Sequence, residues 1–133
     1  MGNVYIISGN DDFSRKKRAR ELALQLGGAD FDDPGIEIIT SDTDTVKVEE
    51  LAVPFIEAVQ TPPFLSPRKL VWMKNFPDFE LLSKSGTGEM LLGVLCETLP
   101  DEVDIIMDGP GLDMRKSYAK TLKSSNARIE LFQ

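Results

Sequence analysis

The sequence predicts an α/β fold of three layers, α/β/α, around a five-stranded parallel sheet. Two observations carry this prediction. Short runs of strand-forming residues alternate with longer stretches of helical apolar spacing along all 133 residues. Successive strands separated by helices need crossover connections, which give parallel sheets covered on both faces. Those crossovers are almost always right-handed, which narrows the topology to doubly wound folds. The length fits a single domain, residues 1–133, able to bury a real core.

Each element has its own signal. VYIIS (Val4 to Ser8) is a strand of the fully buried type, stopped by Gly9. A helix from about Phe13 to Leu26 follows, with Asp11 or Asp12 as N-cap and Gly27-Gly28 as its stop. Ala19, Leu22, Ala23 and Leu26 form its i, i+3, i+4, i+7 stripe. IEIIT (Ile36 to Thr40) is the second strand. The second helix covers Val46 to Gln60, with Leu51, Phe55, Ile56 and Val59 inward. Pro54 lacks a donor and should kink or split this helix near Val53. KLVWMK (Lys69 to Lys74) is the third strand. After a Ser- and Gly-rich loop, Glu89 to Leu99 forms the third helix, with Leu92, Leu95, Cys96 and Leu99 inward. VDIIMD (Val103 to Asp108) and RIELF (Arg128 to Phe132) are the last strands, with a helix from Met114 to Ser124 between them.

Composition removes several function classes. A net charge of −7 argues against a broad nucleic-acid-binding face. With no histidine and a single cysteine, Cys96, the chain can build neither a Cys/His zinc site nor a histidine-dependent triad. The lone cysteine, the lack of a membrane-spanning apolar run and the lack of a signal-peptide pattern place the expected home in the cytoplasm. No cofactor or metal is expected.

Ligands of such folds gather beyond the carboxyl ends of the strands. The segments of interest therefore follow Ser8, Thr40, Lys74 and Asp108. The first of them, GNDDFSRK, sits where a phosphate-binding loop would be. That loop reads G-x-x-x-x-G-K-[ST], since glycine amides cradle phosphates, lysine neutralises them and the hydroxyl holds magnesium. Counted from Gly9, the second glycine falls on Ser14, the lysine on Arg15 and the hydroxyl on Lys16. Asp11 and Asp12 put negative charge where phosphates would enter, and the third strand ends in Lys74-Asn75 without an acidic pair for magnesium. The location is that of a nucleotide site, but its chemistry is missing. The competing reading is a P-loop-like ATPase or nucleotide-sensing domain.

Asp11-Asp12 also suggests a receiver-like phospho-acceptor. That chemistry needs an aspartate after the third strand and a lysine after the fifth, and neither is present; helix N-capping accounts for the pair. The basic run Arg15, Lys16, Lys17, Arg18 and Arg20 spreads around the helix at about 100° per residue. Lys16, Lys17 and Arg20 read as solvated surface, whereas Arg15 projects near the apolar stripe, within reach of Asp11 or Asp108.

The most informative segment is QTPPFLSPRKLVWMKN, Gln60 to Asn75. Pro62, Pro63 and Pro67 can donate neither helix nor ladder hydrogen bonds, so Phe64 and Leu65 sit in irregular backbone. An apolar pair there either folds back under the turn or is kept for a partner.

VYIISGNDDF, TPPFLSPRKLVWMKN and LPDEVDIIMDGPGLDMRKSYAKTLKSSNARIELF, in that order, resemble segments of the bacterial DNA polymerase III delta subunit family. The resemblance covers nearly the whole chain. It implies a P-loop NTPase core of AAA+-like type with a degenerate nucleotide site, lacking the family's helical lid and collar domains. It further implies a clamp-loader subunit of the DNA polymerase III holoenzyme, a DNA-directed DNA polymerase complex. In the family an apolar pair enters a pocket on the sliding clamp and helps open the ring, while motor subunits hydrolyse ATP. The matching positions are Phe64 and Leu65, in reversed order relative to many members, with Pro62 as an additional contact. The motor subunits and delta-prime would be reached through the missing domains and DNA only indirectly. The chain alone is expected to be a monomer, with no membrane partner.

Overall fold

A computed structural model describes residues 2–27, 35–40, 47–63 and 66–133. The strands are β1 (Val4–Ser8), β2 (Ile36–Ile39), β3 (Lys69–Met73), β4 (Val103–Asp108) and β5 (Arg128–Leu131). Their helices are α1 (Asp12–Gly27), α2 (Val48–Gln60), α3 (Gly86–Cys96) and α4 (Ser117–Ser124), with a 3-10 helix at Phe79–Ser83. All strand pairs are parallel, in the order β2-β3-β4-β1-β5.

The predicted three-layer architecture is therefore the observed one, and the sequence of each strand matches its place in the sheet. Central β1 and β4 are buried at every position. The edge strands β2 and β5 are only partly covered. Successive residues of a strand face opposite layers. Val4 and Ile6 join Val71, Met73, Ile105 and Met107 beneath α2, α3 and α4. Tyr5 and Ile7 join Leu70, Trp72 and Ile106 beneath the α1 stripe of Ala19, Leu22 and Ala23. Leu26 packs against this second cluster while remaining partly accessible.

Several boundaries differ from the sequence reading. Pro54 does not split α2, which is continuous from Val48 to Gln60. Buried Val48, Leu51 and Ala52 before the proline, and Phe55, Ala58 and Val59 after it, hold both halves on one apolar face. The carbonyl that loses its helical donor belongs to Glu50, an exposed residue where water can replace the bond. Ile56 is only partly buried.

The third helix begins earlier than expected because Ser85 caps it, its hydroxyl accepting from the Gly88 amide at 3.0 Å. Its buried face is Leu91, Val94 and Leu95, with Leu92 and Cys96 at the margin and Leu99 buried beyond the helix end. The fourth helix begins at Ser117, not Met114. Asp113 holds the preceding turn, accepting from the Arg115 amide at 3.0 Å. Asp11 is the cap of α1.

Among the described residues, no helix is long and apolar enough to cross a membrane.

Candidate functional site

The loop after β1 is closed on itself. Gly9 has φ of 127°, and a Cβ there would collide with the Phe132 carbonyl. Just past β5, Phe132 locks the loop from one side: its amide donates to Ser8 O at 2.8 Å and its carbonyl accepts from Asp11 N at 3.0 Å. The next free donors at the start of α1 are taken by the Asp11 side chain. Its carboxylate accepts from Ser14 N at 3.1 Å and from Ser14 Oγ at 2.7 Å. These hydrogen bonds from Ser14, with a further one from the Phe13 amide, hold the Asp11 carboxyl below its ordinary value. An internal carboxylate thus occupies the helix N-terminus, where a phosphate-binding loop would place its ligand.

Arg15, at the lysine position of that loop, points inward. Its Nη1 donates to Gly9 O at 2.8 Å and lies 2.7 Å from Asp12 Oδ1. The side chain is only 2 % exposed, and its Nε has no hydrogen-bond partner among the described residues. The ion pair is thus with Asp12, while Asp108 feels Arg15 as a nearby positive charge. Lys16, at the hydroxyl position, is exposed and turns toward a separate cleft.

That cleft, of about 500 Å³, lies beyond the carboxyl ends of β2, β3 and β4. Lys16 and Arg20 of α1, Ile38, Thr40, Trp72, Lys74, Asn75 and Asp108 line it. Asp108 is 1 % exposed and accepts from Trp72 Nε1 at 2.7 Å and from the Asn75 amide at 3.2 Å. Burial raises the Asp108 carboxyl above its ordinary value, against those hydrogen bonds and the nearby Arg15 and Lys74 charges. Asn75 adopts the left-handed conformation, φ 57°, that delivers its amide to this carboxylate. The sequence marked the ends of these strands as places to look, but it read Lys16 and Arg20 as surface. Their i, i+4 spacing on α1 was the available signal.

At the opposite, amino end of β3 is the proline-rich loop. Phe64 and Leu65 lie outside the described residues. Pro62 and Pro67 are exposed, and Pro63 and Ser66 are half-buried. Both ends of the loop are anchored. Thr61 closes α2, its amide and hydroxyl both donating to Glu57 O, at 3.0 and 2.7 Å. Lys69 Nζ donates to Thr61 O at 3.3 Å, joining the two ends directly, and lies 3.4 Å from Glu37 Oε1. Arg68 Nη2 reaches the buried Asp104 carboxylate at 2.8 Å, and Asp104 also accepts from Asn3 N at 2.9 Å. Sequence reasoning missed this Asp104 anchor because its partners, Asn3 and Arg68, lie 101 and 36 residues away along the chain.

The strand order bears on the phospho-acceptor alternative. Receiver-type doubly wound sheets run 2-1-3-4-5, with the first and third strands adjacent. Here β4 lies between β1 and β3, and Asp11 caps a helix while Asp12 pairs with Arg15. The receiver reading is therefore set aside. Comparison with known families settles which group the chain falls in: residues 5–132 match the family described as DNA polymerase III, delta subunit. The chain belongs to this family.

A solved structure of a DNA polymerase III, gamma subunit-related protein from Thermotoga maritima resembles this delta-family chain with a TM-score of 0.57 at 18 % identity. The alignment covers 99 % of the delta-family chain but 41 % of the Thermotoga chain, and at that identity it speaks to fold alone. No curated protein sequence matches. The AAA+-like sheet anticipated from the sequence agrees with that shared fold, and the chain is a clamp-loader-type domain of the replication machinery.

Proposed function

We propose that this domain binds the sliding clamp through Phe64 and Leu65, with Pro62 beside them, and thereby helps open the ring for loading onto DNA. The observation that carries the reading is the anchoring of the 62–67 loop. Its ends are joined by Lys69 to Thr61 and fixed to the sheet by Arg68 and Asp104. A loop whose ends are already ordered gives up less conformational entropy on docking. The apolar pair is carried between prolines that restrict the chain further.

The domain contributes binding rather than catalysis. The Asp11 and Ser14 amides are used internally, by the Phe132 carbonyl and the Asp11 carboxylate, and Arg15 is engaged by Gly9 O and Asp12. That arrangement supports the degenerate-site reading of Gly9, Ser14, Arg15 and Lys16 over a nucleotide-driven ATPase. ATP hydrolysis then belongs to the partner motor subunits, and the work takes place in the cytoplasm. Surface plasmon resonance with the sliding clamp of the same organism tests the proposal. Saturable binding that free Pro-Pro-Phe-Leu-Ser peptide competes away is expected; no binding by a folded domain contradicts it.

A further inference from the structure

The cleft at the carboxyl ends of β2, β3 and β4 is separate from the loop proposed to meet the clamp, whose described flanks adjoin the other end of β3. One five-residue strand, about 17 Å at 3.3 Å per residue, separates them. The cleft has a distinct electrostatic character. In a chain of net charge −7, its charged lining among the described residues is Lys16, Arg20, Lys74 and Asp108. The one carboxylate among them has both oxygens engaged, by Trp72 Nε1 and the Asn75 amide. Lys16 and Lys74 form no ion pair among the described residues. Lys74 Nζ instead lies over the Trp72 ring, 5.4 Å from its centroid.

We propose that this cleft binds a small phosphate-bearing anion, held by Lys16, Arg20 and Lys74. Lys16 and Arg20 are one helical turn apart and face the cleft together, and Lys74 approaches from the end of β3. Cations converging from two elements hold a compact, multiply charged group from two sides. The volume of about 500 Å³ accommodates an oligophosphate. The acidic balance of the chain favours such a small ligand over a long nucleic-acid polyanion. The ligand enters outside the closed Gly9 loop.

Trp72 is the only tryptophan in the chain and lines the cleft, which makes it a built-in reporter. An anion that draws Lys74 off the ring changes its emission. The experiment titrates inorganic triphosphate into the protein at low ionic strength and follows Trp72 fluorescence and calorimetric heat, with sodium chloride at matched ionic strength as control. The expected result is a saturable response that Lys16→Gln with Lys74→Gln weakens about tenfold or more. Lys17→Gln, exposed and outside the cleft, should leave it unchanged. Melting curves establish that each variant is folded. Absence of both heat and emission change overturns the proposal, as does undiminished affinity in the double variant. Tighter binding of a single-stranded oligonucleotide than of triphosphate at the same lysines overturns the small-ligand assignment. Thr40 is followed in sequence by Asp42 and Asp44. If the wild type is silent and Asp42→Asn with Asp44→Asn alone shifts Trp72 emission, the chain's own carboxylates are the anions and the proposal fails.

Discussion

Asp108 shows how one buried side chain couples two strands to the start of α1. Its carboxylate holds the Trp72 indole and the Asn75 amide, and Arg15 supplies positive charge nearby. Burial nevertheless dominates and raises its folded-state value above the ordinary 3.8. A carboxyl with a raised folded value binds its proton more tightly in the native state than when unfolded. Its contribution to stability is therefore fully present below the unfolded value and is lost as pH rises through the folded one. We expect Asp108→Asn to remove this downward slope. The difference in melting temperature between variant and wild type should move in favour of the variant as pH rises from about 3.8; parallel curves would contradict the assignment. At this scale the sequence was partly legible. Arg15 was distinguishable from its basic neighbours by its place beside the apolar stripe, but not its choice of Gly9 O and Asp12 over Asp11 or Asp108. That choice depends on how Phe132 seals the loop, a contact between opposite ends of the chain.

Among the elements, the central strands β1 and β4 were read closely because their residues are buried at every position, which leaves little ambiguity in the pattern. Helices were read less well at their starts. Ser85 sets the beginning of α3 through a side-chain hydrogen bond to the Gly88 amide, and Asp113 holds the turn before α4 through the Arg115 amide, signals that apolar periodicity does not register. Pro54 was overruled by the buried face of α2, a tertiary effect on a local preference. The proline-rich loop is the element with the clearest mechanical consequence. Arg68 is half exposed, yet its partner Asp104 is 2 % exposed in the side chain. Arg68→Ala leaves that carboxylate with the Asn3 donors alone. A loss of stability of about 1 kcal/mol is expected in urea unfolding, and clamp affinity should fall further than that loss alone explains, because the loop end is released. Unaltered affinity would show that the anchor does not shape the loop.

For the whole molecule, the sheet order places two regions of interest at opposite ends of the strands. The carboxyl end carries the sealed loop and the basic cleft, and the amino end of β3 carries the proline-rich segment. The rule that ligands collect at carboxyl ends thus led away from the proposed partner surface, which rests on the residue pattern of Gln60 to Asn75 together with the family resemblance. Since Asp11 and Phe132 already take the loop donors, ATP with magnesium should leave the melting temperature unchanged. A ligand present at 100 times its dissociation constant would stabilise the fold by about 2.7 kcal/mol, so a magnesium-dependent rise would restore the nucleotide-binding reading. The central claim, that Phe64 and Leu65 anchor the domain to the sliding clamp, is tested most directly by clamp affinity and melting temperature measured together on Phe64→Ala with Leu65→Ala. Each buried apolar side chain is worth about 1.5–3 kcal/mol at an interface. Binding should therefore be abolished while the melting temperature holds. Clamp affinity equal to wild type would contradict the claim. So would a stability loss of several kcal/mol, of the size large-to-small substitutions cause in a core, because it would place the pair inside the fold.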